Sequence, residues 1–236
     1  MDRRAIGVFD SGVGGLTVLR EIIEQLPYED IVYFGDTARI PYGSKSPQTV
    51  IKFANQCASF LLSKNIKTIV IACNTASAVS LTSLEENFEI PIIGVIDPGA
   101  NGAVKATKNN KIGVIGTSGT IKSDSYQTKI REYNNKAEVI GVPCPLFVHI
   151  VEEGWEYSSV AELTAEKYLI ELKEHEIDTL VLGCTHYPLL RYTLKKVMGP
   201  NVKLVNPAYE TAKSLKALLK EKKMLSEKYV KPSYEY

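Results

Sequence analysis

Cys73 and Cys184 are the side chains best placed to do chemistry. Each sits where an apolar run gives way to a short polar segment and then a helical pattern. The two runs match almost position by position: Ile69-Val70-Ile71-Ala72-Cys73-Asn74-Thr75 against Leu180-Val181-Leu182-Gly183-Cys184-Thr185-His186. A thiol at a helix start meets unpaired first-turn N–H groups and the positive end of the helix dipole. Both favour thiolate, the form that acts as base or nucleophile. The plain alternative for either one alone is an inert buried cysteine packed as a small hydrophobe. His186, two residues past Cys184, can move a proton at that thiol or hydrogen-bond a carboxylate; its plain reading is a loop or cap histidine. Asp10 closes the first apolar run, where it either polarises a neighbouring group or caps a turn. Cys57, on the apolar stripe of a helix, and Cys144, between Pro143 and Pro145, read as structural.

Several other chemistries fit poorly. Cys184-x-His186 lacks the close-spaced ligand pairs of a structural zinc site, so no metal is expected. Neither Cys73 nor Cys184 belongs to a Cys-x-x-Cys redox pair. Gly12-Val13-Gly14-Gly15 lacks the full dinucleotide fingerprint, and Asp10 beside it would repel a pyrophosphate. Gly116-Thr117-Ser118-Gly119-Thr120 has no Walker lysine. Both segments read more economically as turns offering N–H groups to a carboxylate.

The elements that must position these residues alternate along the chain. Short apolar runs over 5–9, 31–34, 68–72, 91–96, 111–115, 137–141, 179–182 and 202–205 predict strands. Helical spacing follows over 16–26, 50–61, 77–88, 120–133, 158–174 and 209–223, and Asp97-Pro98-Gly99 reads as a turn. Strands apolar on both faces and alternating with helices predict a parallel α/β fold. Right-handed crossovers then bring every strand's C-terminal end to one rim. The repeated cysteine segment predicts two related lobes, 1–98 plus 207–236 and 99–206, with the last helix packing back on the first.

With 236 residues, 44% of them hydrophobic, the chain can bury two modest cores. The 28 Lys and Arg against 27 Asp and Glu leave a formal charge of +1, which gives no electrostatic reason to expect a nucleic-acid or anionic-membrane partner. Four cysteines are too few for a disulfide scaffold and point to reduced thiols in the cytoplasm. Asp2, Arg3 and Arg4 lead into a short run broken by Asp10, which is no secretory leader, and no apolar stretch approaches a bilayer span. The lysine-rich stretch 213–231 reads as a solvated helix face, and 229–236 as an irregular terminus.

The motifs taken together resemble the glutamate racemases of the cofactor-independent aspartate/glutamate racemase superfamily. The resemblance rests on 6–16 (IGVFDSGVGGL), 33–39 (YFGDTAR), Pro41-Tyr42-Gly43, 71–77 (IACNTAS), 94–99 (GVIDPG) and Gly116-Thr117 with Gly119-Thr120. It continues through Cys144-Pro145-Leu146, Val151-Glu152-Glu153-Gly154 and 182–190 (LGCTHYPLL), so it covers nearly the whole chain in order. It implies flavodoxin-like, three-layer lobes with the active site in the cleft between them, and no cofactor. Cys184 would take the α-proton from L-glutamate and Cys73 from D-glutamate, each reprotonating the face opposite the one it served. Asp10 and His186 match auxiliary residues beside the thiols. Ser11, Pro41, Tyr42, Gly43, Asn74, Thr75, Thr117, Thr120, Glu152 and Thr185 match substrate-contacting positions. The resemblance also implies a homodimer and a role supplying D-glutamate for peptidoglycan. His149 and the segment 206–212 (NPAYETA) depart from the usual pattern, and the C-terminal region is short. An aspartate racemase and a non-catalytic amino-acid-binding protein are the competing readings.

Overall fold

The structure, a computed structural model, describes residues 2–226 and 231–236. In chain order the first elements are β1 (Ala5–Asp10), α1 (Leu16–Gln25), β2 (Ile31–Gly35), α2 (Pro47–Leu62), β3 (Ile66–Ile71), α3 (Asn74–Asn87) and β4 (Ile92–Gly94). Next come α4 (Ile96–Ala106), β5 (Lys111–Gly116), α5 (Ser118–Lys122), α6 (Ser125–Tyr133), β6 (Glu138–Pro143), α7 (Leu146–Glu152), α8 (Ser159–Glu174), β7 (Thr179–Gly183), α9 (Arg191–Met198) and β8 (Lys203–Val205). The chain closes with α10 (Pro207–Glu221) and β9 (Tyr234–Glu235). It divides into two compact units, residues 1–95 with 208–236 and residues 96–207.

Each unit is built on its own parallel sheet, and the two sheets share one winding. The first runs β4-β3-β1-β2-β9 and the second β6-β5-β7-β8. In both, the first strand lies inside the sheet with the second on one side and the third on the other, the flavodoxin-like order. Period-two alternation on the strands explains the layers of the first unit. Ile6 and Val8 turn into a core with Val18, Leu19 and Ile22 of α1, while Phe9 turns into the opposite core with Val50, Ala54 and Leu61 of α2. The returning helix α10 joins the first of these cores. Leu215 and Leu219 are fully buried there, and each contributes about 1.5–3 kcal/mol. In the second unit α7, α8 and α9 supply Phe147, Leu169, Leu172 and Leu194 to one core.

Four expectations need correction. The predicted turn at 97–99 lies inside α4: Pro98 falls in the first turn, where its missing N–H costs nothing, and Gly99 is small because Pro207 and Tyr126 stand 3.1 Å from where its Cβ would be. The helix expected over 120–133 is two helices, α5 and α6, broken where Asp124 takes a left-handed φ of 57°. The helix expected from 77 starts at Asn74, because the Cys73 thiol caps it. The predicted irregular end includes a strand: β9 pairs in parallel with β2, and Ser233 donates its N–H to Asp30 Oδ1 at 2.6 Å. Tyr229 and Val230 of that expectation lie outside the described residues.

A buried ion pair ties the C-terminal segment to the sheet. Lys67 of β3 is wholly buried and Glu29, just before β2, is 2% exposed. The Lys67 ammonium bonds Glu29 and also donates to the carbonyls of Asp2 at 2.9 Å and Met224 at 2.8 Å. Ser226 completes the knot by donating its N–H and its hydroxyl to Glu29, each at 2.8 Å. Removing one charge strands the other in a dry site, so Lys67→Ala is expected to cost about 3–5 kcal/mol in urea unfolding. The double variant Lys67→Met/Glu29→Leu, which leaves no orphan charge, should recover most of that loss.

Candidate active site

In a doubly wound sheet the strand order reverses beside the first strand, and the loops leaving the first and third strands separate there to form a crevice at their C-terminal ends. Both candidate thiols occupy that position. Cys73 follows β3, next to the end of β1, and Cys184 follows β7, next to the end of β5. The internal match seen in the sequence is therefore also a match of topological position.

In the first unit, Asp10, Ser11 and Cys73 come together. Asp10 is fully buried, and its Oδ2 accepts the N–H groups of Gly12 and Gly15, each at 3.0 Å. Its Oδ1 has no partner among the described residues. Glycine is required at position 15, because a Cβ there would lie 2.3 Å from Asp10 Cβ. Burial pushes the Asp10 carboxyl up to about 6 against the pull of those N–H donors. Cys73 is buried at the N-cap of α3, where its Sγ accepts the Ala76 N–H at 3.4 Å and lies 3.6 Å from Ser11 Oγ. The helix start thus lowers the thiol's pKa as anticipated, but it does not prevail. Burial first, and the Asp10 charge second, carry Cys73 up to about 11, so at pH 7 only about one thiol in 10⁴ is ionised. Asn74 and Thr75 follow in the first turn of α3, both buried.

Pro41, Tyr42 and Gly43 lie beyond β2, after a cis Ile40–Pro41 bond. The Tyr42 hydroxyl is not free for a ligand: it donates to Asp36 Oδ2, and Cys57 Sγ lies 3.9 Å away. Arg39 Nε reaches Asp36 Oδ2 at 2.6 Å, and its guanidinium stacks 4.3 Å from the Phe53 ring centroid. This Asp36–Arg39–Tyr42 network fixes the loop, so any contact from Tyr42 and Gly43 to a ligand falls to their backbone. Cys57 is buried in the α2 core and pushed up to about 11 by burial, which keeps it a thiol. Cys144 is likewise buried, with its pKa raised by burial, and its Sγ lies 3.5 Å from the Val142 carbonyl oxygen.

The second unit reaches its thiol differently. Cys184 Sγ lies 3.8 Å from His186 Nδ1, and His186 Nε2 lies 3.1 Å from Glu152 Oε1 at the end of α7. Burial lowers the His186 pKa, outweighing the upward pull of Glu152, and keeps the ring neutral at pH 7. A neutral ring facing a carboxylate donates from Nε2, which leaves the Nδ1 lone pair turned to the thiol as a proton acceptor. Glu152, expected to contact substrate, thus fixes the tautomer of His186. Thr117 caps α5 and its Oγ1 lies 3.1 Å from that of Thr120, while Thr185 is buried beside Cys184. Two residues at this site escaped the sequence: Tyr33, which alternation on β2 reads only as core, and Asp36, an acidic residue among many at strand ends. Among the described residues no cluster of three or more His, Cys, Asp or Glu side chains could hold a metal ion, and no helix is long and apolar enough to cross a membrane.

Comparison with known proteins narrows the chemistry. Residues 6–215 match the Asp/Glu/hydantoin racemase family. A glutamate racemase of Geobacter metallireducens is 53% identical over 225 residues, covering 95% of this chain and 83% of its own length. A glutamate racemase structure from Bacillus anthracis superposes with a TM-score of 0.96 at 44% identity, covering 99% of this chain and 88% of that one. One from Francisella tularensis, in complex with D-glutamate, gives 0.92 at 44% identity, with 99% and 87% covered.

The state of Asp10 has a consequence for stability. In the folded protein its carboxyl keeps a proton up to about 6, whereas the unfolded chain loses it near 3.8. The folded state therefore binds the extra proton in that window, and stability falls as pH rises through it, by about 3 kcal/mol in all. Asp10→Asn does not titrate there. Urea unfolding should show the variant gaining on the wild type by about that amount between pH 4 and pH 7. A difference independent of pH would contradict the burial of a charge at this position.

Proposed function

The chain belongs to the Asp/Glu/hydantoin racemase family, and we propose that within it the protein interconverts L- and D-glutamate by proton transfer at two thiols. The observation that carries this reading is the pair of buried cysteines at equivalent strand ends of two like-wound units. Inversion of an α-carbon needs a base on one face and an acid on the other; a single fixed thiol would return the proton to the face it came from. Glutamate as substrate rests on the similarity to the Geobacter, Bacillus and Francisella enzymes.

In the forward direction Cys184 gives its own proton to His186, whose Nδ1 faces it, and the resulting thiolate removes the α-proton of L-glutamate. Cys73, a thiol at rest, delivers a proton to the opposite face. The reverse reaction needs Cys73 as thiolate, which burial and Asp10 oppose. The substrate's α-ammonium supplies the missing positive charge, since a cation beside a thiol and a carboxyl draws both pKa values down. The carbanion carries its charge into the α-carboxylate, where N–H and hydroxyl donors aimed at it lower the barrier in a water-poor site. Ser11, Asn74, Thr75, Thr117, Thr120 and Thr185 are the donors assigned to that task. The reaction draws on no cofactor. All four cysteines are free and buried, which fits a reducing cytoplasm, where D-glutamate would feed peptidoglycan synthesis. A homodimer completes the proposal on resemblance.

An assay of optical inversion across a panel of amino acids tests the substrate, with glutamate expected to lead. For mechanism, Cys73→Ser and Cys184→Ser should fold and lose roughly 10²–10⁴-fold in racemisation, since a hydroxyl is a poor base at neutral pH. A glutamate analogue with a β-leaving group needs abstraction but no second proton donor. C73S should eliminate preferentially from the L analogue and C184S from the D analogue. The same preference in both variants would defeat the assignment of the two thiols.

A further inference from the structure

Tyr33 carries no proton in the reaction above, yet its phenol ends on the turn that organises the first unit's acid and thiol. Its hydroxyl donates to the Gly12 carbonyl oxygen at 2.6 Å, in a buried bond across 21 residues of sequence. That carbonyl belongs to the turn whose N–H groups at Gly12 and Gly15 hold Asp10 Oδ2. The preceding residue, Ser11, is the one that meets Cys73 Sγ. Two absent side chains make room for this arrangement. A Cβ at Gly15 would lie 2.7 Å from the Tyr33 hydroxyl, and one at Gly35 would lie 2.8 Å from the Gly12 oxygen. Neither Gly12 nor Gly35 has a left-handed φ, so space and not backbone freedom is what the Gly35 position supplies. Burial, with the negative charge of Asp10 and Cys73 adding to it, raises the Tyr33 pKa far above its ordinary value, so the group donates at every working pH.

Resting on the racemase reading, we propose that Tyr33 is a positioning residue for proton transfer at Cys73, acting through the Gly12 carbonyl on Asp10 and Ser11. The bond closes a loop of contacts, from β2 to the Gly12 carbonyl, through the turn to Asp10, and from Ser11 to the thiol. Without it the turn keeps its N–H bonds to Asp10 but loses its anchor on β2, and the carboxyl and the Ser11 hydroxyl drift relative to the sulfur. A proton-transfer step is sensitive to such displacement.

The test is Tyr33→Phe, which keeps the ring in its core and deletes one bond. Enantiomers have equal free energy, so kcat/KM must fall alike in both directions; roughly tenfold is expected. A general loss of folded protein would also lower both, so the discriminating readout is the deuterium isotope effect with each α-deuterated enantiomer. In the variant the effect from D-glutamate should rise, because abstraction by Cys73 becomes more fully limiting. The effect from L-glutamate should fall, because abstraction by Cys184 becomes less so. Isotope effects that stay at wild-type values, or move the same way for both enantiomers, overturn the proposal. If Y33F does not fold, Gly35→Ala presses a methyl on the same carbonyl from the other side with the phenol in place, and the same opposed shifts are expected of it. A wild type that does not racemise glutamate defeats the racemase reading and the role of Tyr33 with it. Wild-type racemisation with unmoved isotope effects defeats the role of Tyr33 alone.

Discussion

A thiol that must carry negative charge is buried beside a carboxyl that resists it, and the architecture of the first unit answers to that conflict. The Asp10 charge raises the cost of ionising Cys73, and burial raises the cost for both groups. What opposes the cost is backbone: N–H groups from Gly12 and Gly15 on the carboxyl, and from Ala76 on the sulfur. Those donors exist because the chain turns sharply after β1 and starts a helix directly after Cys73. Glycine at 15 is the sequence's concession to that crowding. The result at rest is a protonated thiol and a carboxyl poised near neutrality, a pair that a cation beside them would draw towards ionisation.

The two units share a winding but not a solution. Beside Cys184 there is a neutral imidazole held by Glu152, a conventional proton acceptor with its tautomer fixed. Beside Cys73 there is a carboxyl in a cage of amides. An enzyme that must run equally well from either enantiomer has no need of mirror-image chemistry, because equal equilibrium populations constrain only the overall ratio. Each base needs only its own means of reaching thiolate, and the topology supplies the same strand-end position for both.

Much of this was legible in the residues. The apolar runs at 5–9, 31–34 and 179–182 gave the central strands because parallel strands buried on both faces cannot hide their composition. The Cys73 and Cys184 segments matched because their strands occupy the same place in like sheets. What escaped depended on partners distant in sequence. Asp97-Pro98-Gly99 reads locally as a turn yet opens a helix, where Pro98 costs no hydrogen bond in the first turn and Pro207 and Tyr126 leave no room for a side chain at Gly99. The strand β9 exists only by pairing with β2, and nothing in Tyr234-Glu235 announces it. Tyr33 looks like any aromatic on a strand until its hydroxyl is found on Gly12, and Glu152 shows no tie to His186 across 34 residues.

The central claim is that two separate thiols exchange the α-proton on opposite faces. It is tested most directly by running the wild-type protein on each enantiomer of glutamate in deuterated water and stopping early. The account predicts solvent deuterium at the α-carbon of nearly every product molecule, and far less in the unreacted substrate, from both directions. Product that retains the original α-proton from either enantiomer would mean one group serving both faces, and would contradict it.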